Sequence, residues 1–275
     1  MAETIRESDK VKYISCDGLE ETGLVEHGFM TRIGGISEGP YASLNLGFRR
    51  GDDDEKVTEN FRLAAACFNT DISHMVTGHQ THTAVVRKVS ADDAGKGVTV
   101  KRDYTDVDGL ITNVPGLLLG TSHADCTPVF LLDPVHLAVG MVHSGWRGTV
   151  KRIGRNAVRM MTEEFGSDPE DILAFVGPCI CKGCYEVGSE VAEEFAELSS
   201  YEPDILTQKP DGKYLLDLKS ANAMILKLAG LRDENITVSE HCTYEEEELF
   251  FSHRRMGAVR GQNMAFIGLK EQKRF

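Results

Sequence analysis

A thiol and an imidazole, Cys126 and His143, stand near the two ends of the stretch TSHADCTPVFLLDPVHLAVGMVHSGWRGT, each beside small residues. Such a pair does two kinds of chemistry. The imidazole can take the thiol proton and leave a cysteine nucleophile. Alternatively, both side chains ligate one metal ion, with Zn–S near ~2.3 Å and Zn–N near ~2.0–2.1 Å. Asp125 adjoins the thiol and is a candidate proton shuttle or orienting group; its other role would be a hydrogen bond that fixes the ADC turn. Ser144 and Gly145 follow the imidazole, and a glycine there lets the backbone approach a ligand closely.

A metal site needs a third ligand, and GHQTH offers His79 or His82, which residue type alone does not separate. A second cluster, Cys179, Cys181 and Cys184 in GPCICKGCYEVG, has the pattern C-x-C-x-x-C. A closed zinc site there lacks a fourth ligand, because no CxxC partner occurs elsewhere. For an anionic substrate, Arg32 in MTRIGG can present a planar fork to an oxyanion. Its alternative is an ion pair with an acidic neighbour. Asn45 in SLNLG and Arg147 in GWRG are further candidates, Arg147 being otherwise a buried ion-pair residue. Trp146, the single tryptophan, reads as a core anchor.

These residues need elements to hold them. VFLLD and HLAVGMVH flank Asp133-Pro134-Val135-His136 and read as a hairpin. A turn centred between Pro134 and Val135 sets Cys126 directly opposite His143, with Cβ atoms roughly 4.5–5.5 Å apart on one sheet face. Pro128 disfavours regular pairing near the start of the first strand. After GWRG the apolar residues Val150, Ile153, Ala157, Met160, Met161 and Phe165 recur at helical spacing. Upstream, GDDDE reads as a solvated loop before a helix carrying Val57, Phe61, Leu63 and Ala64 to Ala66, ending near Asn69. THTAVVRKV reads as strand, with His82 opening it. DVDGLITNVPGLLLGTS gives a turn at Asp108–Gly109, a strand, a turn at Pro115–Gly116 and another strand. ILAFVGP is a buried strand. SEVAEEFAEL and LKSANAMILKLAGL are amphipathic helices, with Gly230 as a C-cap. ITVSEHCTY reads as the last strand, followed by a basic tail, SHRRMGAVRGQN. Uneven alternation with prominent hairpins favours one α+β domain with mixed sheets over a doubly wound parallel fold.

The 275 residues suffice for a substantial core. A formal net charge of −13 repels nucleic acid and anionic membrane, though not a phosphate in one local pocket. The start, MAETIRESDK, has no apolar signal region, and no apolar run approaches the ~18 residues of a membrane span. Seven cysteines without an export signal read as reduced thiols in a cytoplasm. Neither GxGxxG nor GxxxxGK[ST] occurs, which weighs against dinucleotide and P-loop enzymes. A multicopper centre usually uses H-x-H pairs, and the nine histidines form none. A blue-copper site would need an axial methionine, for which Met141 is the candidate.

HGFMTRIGG, SLNLG, GHQTH, DGLIT, ADCTPVFLLD, AVGMVHSGWRGT and GPCICKGCYEVG occur in an order that resembles the YfiH-like family, also called laccase-domain or polyphenol-oxidase-like proteins and grouped with purine nucleoside phosphorylases. The resemblance runs from about Gly28 to Gln262. It implies a single domain across 1–275, with layered mixed β-sheets flanked by helices. It also implies a zinc site at His82, Cys126 and His143, leaving His79 outside, with copper as the alternative metal. QTHT replaces the QVHG of familiar members, a change that bears on loop shape. In the resembling segment the cysteines of GPCICKGCYEVG are not the principal zinc ligands. The implied activities are phosphorolysis of adenosine, inosine and methylthioadenosine, and deamination of adenosine. Alternatives are amidase editing of a cell-wall muramyl-peptide precursor and copper-dependent oxidation of phenols. Small-molecule nucleoside and phosphate are then the partners, of a monomer or homodimer.

The ligand assignment predicts that His82→Ala, Cys126→Ala and His143→Ala each abolish zinc binding at this site, while His79→Ala retains it. Elemental analysis of the purified variants checks this, and zinc loss in His79→Ala alone would reverse the choice of histidine.

Overall fold

Continuous apolar runs such as VFLLD bury both faces of a strand, so they need a layer on each side. The computed structural model, which describes residues 2–271, supplies those layers. Its strands in chain order begin with β1 (Glu3–Ser8), β2 (Val11–Cys16), β3 (Val25–Met30), β4 (Met75–Thr77) and β5 (Val86–Lys88). There follow β6 (Gly109–Thr112), β7 (Leu118–His123), β8 (Thr127–Asp133), β9 (Ala138–Ser144) and β10 (Leu173–Val176). The last are β11 (Glu186–Val187), β12 (Leu206–Gln208), β13 (Tyr214–Leu216), β14 (Ile236–Val238) and β15 (Asn263–Leu269). One six-stranded sheet has the order β1-β2-β3-β15-β7-β4 and a second β14-β10-β8-β9-β6-β5, with β11-β13-β12 as a small third sheet. Both large sheets are mixed: β4 with β7, β5 with β6 and β10 with β14 are the parallel pairs. The α+β class with mixed sheets is thus the observed one.

The alternation of side chains sorts residues between layers. Phe130 and Leu132 on β8 join Phe29, Leu119, Met141 and Ile267 in the core between the two sheets. Val129 and Leu131 point the other way, against Ile153, Ala157 and Met161 of the helix Ile153–Phe165 and Leu226 of the helix Leu218–Leu228. The outer face of the first sheet is covered by Val57, Phe61, Ala64 and Ala65 from the helix Asp54–Ala66. Asp53 caps that helix through Glu55 N, and Asp52 accepts from Ser37 Oγ and Asn45 Nδ2, so part of the acidic run GDDDE holds structure as well as facing water.

Four local expectations change. In the hairpin, Thr127 pairs with Ser144 and Asp133 with Ala138, so His143 faces Pro128 and Cys126 lies outside the strand. The cause is Asp133, whose Oδ1 accepts from Val135 N at 2.8 Å and His136 N at 3.0 Å, with Leu137 left-handed at φ 50°. This moves the turn centre one residue along and the register two, and an even slip preserves the face. THTAVVRKV is strand only at Val86–Lys88. Asp108 is no turn residue but a fully buried carboxylate. Finally, the basic tail is followed by another strand, β15, which is buried throughout between β3 and β7.

His27 on β3 is buried and accepts from Cys16 N at 2.9 Å through Nε2, so it is held neutral, and burial pulls its pKa down to about 4. Unfolded chains bind this proton first, so stability is fully present above about pH 6.5 and falls as the pH drops towards 4. The expected contribution is a loss of roughly 3 kcal/mol between pH 7 and pH 4. Urea midpoints at the two pH values should differ less in His27→Gln than in wild type.

Candidate metal centre

Asp108 has no solvent exposure, so its charge must be met by donors. The loop after β4 supplies them. Thr81 N, His82 N and Thr83 N donate to its carboxylate at 3.1, 3.1 and 2.8 Å, and Thr83 Oγ1 adds a fourth bond at 2.8 Å. This wrapping explains why GHQTHT leaves the strand path and why His82 takes a left-handed φ of 63°. Gln80 fixes the loop's other flank, donating to Ser122 O and accepting from Ser122 N, both at 2.7 Å. The fifth donor to Asp108 is His143 Nδ1–H at 2.8 Å. That bond uses Nδ1 and leaves Nε2 as the atom His143 can offer to a metal ion. Although burial opposes it, the His143 hydrogen and charge hold the Asp108 carboxyl down at about 2.

Cys126 enters from the turn between β7 and β8. Asp125 has φ 84° there, and His123 Nδ1–H donates to the Cys126 carbonyl at 3.0 Å while its Nε2 accepts from Thr121 Oγ1 at 2.8 Å. The result brings one atom each of His82, Cys126 and His143 within 4.8 Å of one another, a separation that suits three ligands of one ion. His82 Nε2 lies 3.9 Å from Cys126 Sγ, and the His82 and His143 rings are 5.0 Å apart at their centroids. His79 is outside this group, accepting from Asp106 N. Burial pushes the Cys126 thiol up, but His143 and His82 pull harder and bring it to about 6. Burial likewise disfavours charged His143, and Cys126 and Asp108 raise it to about 9. A metal ion that displaces the His143 proton would meet a thiolate sulfur and two imidazole nitrogens, borderline-soft chemistry that fits zinc or copper. Gly145 makes room for it: a Cβ there would lie 2.9 Å from Cys126 Sγ and 2.9 Å from His82 Cδ2.

The remaining candidates are spread more widely. Asp125 accepts from Thr243 Oγ1 at 2.8 Å and Arg254 N at 2.6 Å, so both carboxylate oxygens fix the turn against the segment 243–254. Asn45 is buried, with Oδ1 taken by Gly47 N and Gln262 N and Nδ2 given to Asp52. Arg32 donates to Ala42 O and Glu247 O, lies 4.6 Å over the Phe251 ring, and lines a cavity with Ser43, Glu247 and Arg255 that includes none of the three candidate ligands. Arg147 is exposed rather than a buried ion-pair residue, its guanidinium 4.1 Å from the Trp146 ring. Trp146 is half-buried and packs against the cluster around Phe195 and Leu216.

Arg260 carries the signal that sequence inspection passed over, because it sits in the basic tail. It is 6% exposed and donates to Gly261 O and Gln262 Oε1, and its Nε has no partner among the described residues. Burial and Arg50 lower its pKa to about 10, and the charges of Asp125 and Cys126 oppose that fall.

Two substitutions separate ligand orientation from space. Asp108→Asn leaves backbone donors facing an amide and is expected to weaken metal binding about 10- to 100-fold, read by competition with a chromophoric chelator. Gly145→Ala is expected to abolish binding while far-UV circular dichroism stays native. Unchanged affinity in either variant would remove that residue's assigned part.

A family model described as "Multi-copper polyphenol oxidoreductase laccase" matches residues 26–270. A relative named purine nucleoside phosphorylase YlmD, from Bacillus subtilis (strain 168), is 43% identical, covering 89% of this chain and 88% of its own. One named adenosine deaminase RL5, from an unknown prokaryotic organism, is 35% identical over 82% of this chain and 87% of its own. The crystal structure of YlmD from Geobacillus stearothermophilus superposes with a TM-score of 0.90 at 36% identity, covering 98% of this chain and all of that one. The matched sequence, the matched fold and the shared length make this chain a member of the multi-copper polyphenol oxidoreductase laccase family.

Proposed function

We propose that this chain is a zinc-dependent enzyme of purine nucleosides, splitting adenosine, inosine or methylthioadenosine with phosphate and deaminating adenosine. The observation that carries this is the convergence of His82, Cys126 and His143 on one point, with Asp108 behind His143 and a glycine in place of a side chain beside them. Three protein ligands leave a fourth position open to substrate or water. A zinc ion there supplies Lewis acidity that makes water acidic near neutral pH and draws charge from a bound oxygen or nitrogen. Relatives named purine nucleoside phosphorylase and adenosine deaminase support the substrate class.

The chain's own residues do the rest. Asp108 holds the His143 tautomer, and Gly145 keeps the approach clear. In phosphorolysis a phosphate oxygen bonds to ribose C1′ as the bond from C1′ to the purine nitrogen breaks, and the base leaves with a proton. Phosphate must therefore be held beside the ribose. Arg260 suits that task better than Arg32, being a buried guanidinium whose Nε–H has no partner among the described residues, whereas Arg32 gives its donors to Ala42 O and Glu247 O. Arg50 and Arg254 add positive charge, Arg254 lying 5.2 Å over the Tyr185 ring. In a chain of net charge −13, a local basic wall has a clear use in drawing in an anion.

A second function fits the same atoms. Cys126, His143 and Asp108 follow one another as nucleophile, base and orienter, with the thiol already brought to about 6. A cysteine amidase acting on a muramyl-peptide precursor would use that order.

Product analysis from adenosine, with and without phosphate, distinguishes these. Arg260→Lys is expected to lose about 10- to 100-fold in kcat/KM for phosphate, the worth of one charge-assisted pair of hydrogen bonds. Deamination on the same zinc-loaded preparation should fall less, and Arg32→Lys should spare both. Equal loss of both activities in Arg260→Lys would make it a support of the fold. Metal-free protein that turns over no nucleoside but cleaves a muramyl-peptide precursor, and loses that activity on alkylation at Cys126, would establish the amidase instead.

A further inference from the structure

Cys181 and Cys184 form a C-x-x-C hook, and the fold sets against it a second hook in which glutamate takes the place of the last cysteine: Cys242-Thr243-Tyr244-Glu245. Cys181 Sγ, Cys184 Sγ, Cys242 Sγ and a Glu245 carboxylate oxygen all lie within 4.8 Å of one another. From Zn–S bonds of ~2.3 Å, ligands of a tetrahedral site stand about 3.8 Å apart, so the cluster needs only a slight contraction to close on an ion.

The local backbone is built for it. Cys184 N donates to Cys181 O across the turn Lys182–Cys184. Cys181 N donates to Cys242 Sγ at 3.2 Å, the hydrogen bond that stabilises a thiolate ligand. The two hooks are tied beside the cluster by a backbone β-bridge at Cys179 and Cys242 and by Thr243 N donating to Cys179 O. Cys179 itself stays in the apolar core and outside the ligand set. The neighbouring Glu246 is engaged with His241 and Cys242 N, whereas the Glu245 carboxylate has the Cys184 thiol as its one hydrogen-bond donor among the described residues.

We propose that Cys181, Cys184, Cys242 and Glu245 form a second, closed zinc site that staples the segment after β14 to the turn before β11. Four protein ligands leave no open position, so the ion there is structural. Its place matters to the first site. Cys242 is followed by Thr243, which holds the Asp125 carboxylate, and Asp125 precedes Cys126. The second ion thus braces the turn that presents the thiol of the first. This assignment does not rest on the nucleoside activity.

The test is zinc content of the full chain, expressed with added zinc and purified under reducing conditions without chelator. Wild type is expected to carry about two zinc ions, with His143→Ala and Cys184→Ala each carrying about one, retained at the site left intact. Cobalt(II) added to metal-free His143→Ala should give the intense thiolate charge-transfer band of three sulfur ligands, and Cys184→Ala at most a band of one or two. Cys184 is only half-buried, so its replacement spares the core if Cys242→Ser does not fold. One zinc in wild type that vanishes in His143→Ala, zinc content unchanged in Cys184→Ala, or no thiolate band in cobalt-treated His143→Ala would each overturn the second site.

Discussion

A carboxylate removed from water is the constraint on which this end of the sandwich is built. Asp108 gathers three consecutive backbone N–H groups, one hydroxyl and one imidazole, and no weaker set would offset its desolvation. Because those donors belong to the loop carrying His82 and the strand carrying His143, satisfying the charge also brings the two histidines together. Cys126 arrives independently, through the turn that His123 and Asp125 hold. Folding energy and ligand placement therefore share the same bonds around Asp108.

Much of this was legible in residue order. The apolar runs marked buried strands, helical spacing found the helix Ile153–Phe165, and the hairpin brought Cys126 near His143, though through the preceding turn rather than as a strand pair. The register escaped because Asp133 captures two N–H groups inside the turn, a side-chain effect that strand periodicity does not encode. The loop at His82 reads as strand because Thr and Val favour strands locally, and the buried charge that overrides them lies beyond it in the chain. β15 escaped because a basic segment precedes it, although NMAFIGL is as apolar as any core strand. The second hook escaped because a search for paired CxxC motifs does not register a glutamate in the final place.

Charge is distributed against the average. The chain is acidic, yet Arg254 N holds the Asp125 carboxylate beside Cys126, and Arg255 spends its guanidinium on the carbonyls of Thr243, Tyr244 and Phe250. The segment 243–254 thereby holds the turn that carries Cys126. Its shape depends on donors binding carbonyls and on Asp125 rather than on a regular element, so it is open to variation without disturbing the sheets.

The position of β15 between β3 and β7 carries a consequence for biogenesis. A strand at the middle of a sheet, drawn from residues 263–269, must be available before β1, β2 and β3 can join β7 and β4. On a ribosome, which delivers the chain from its amino end, the early three-stranded ribbon waits with an unpaired edge while more than two hundred residues emerge. The wall bearing Thr243, Arg254 and Arg260 is synthesised in the same late interval. The vulnerable period for aggregation is therefore the one in which a chaperone would find that open edge.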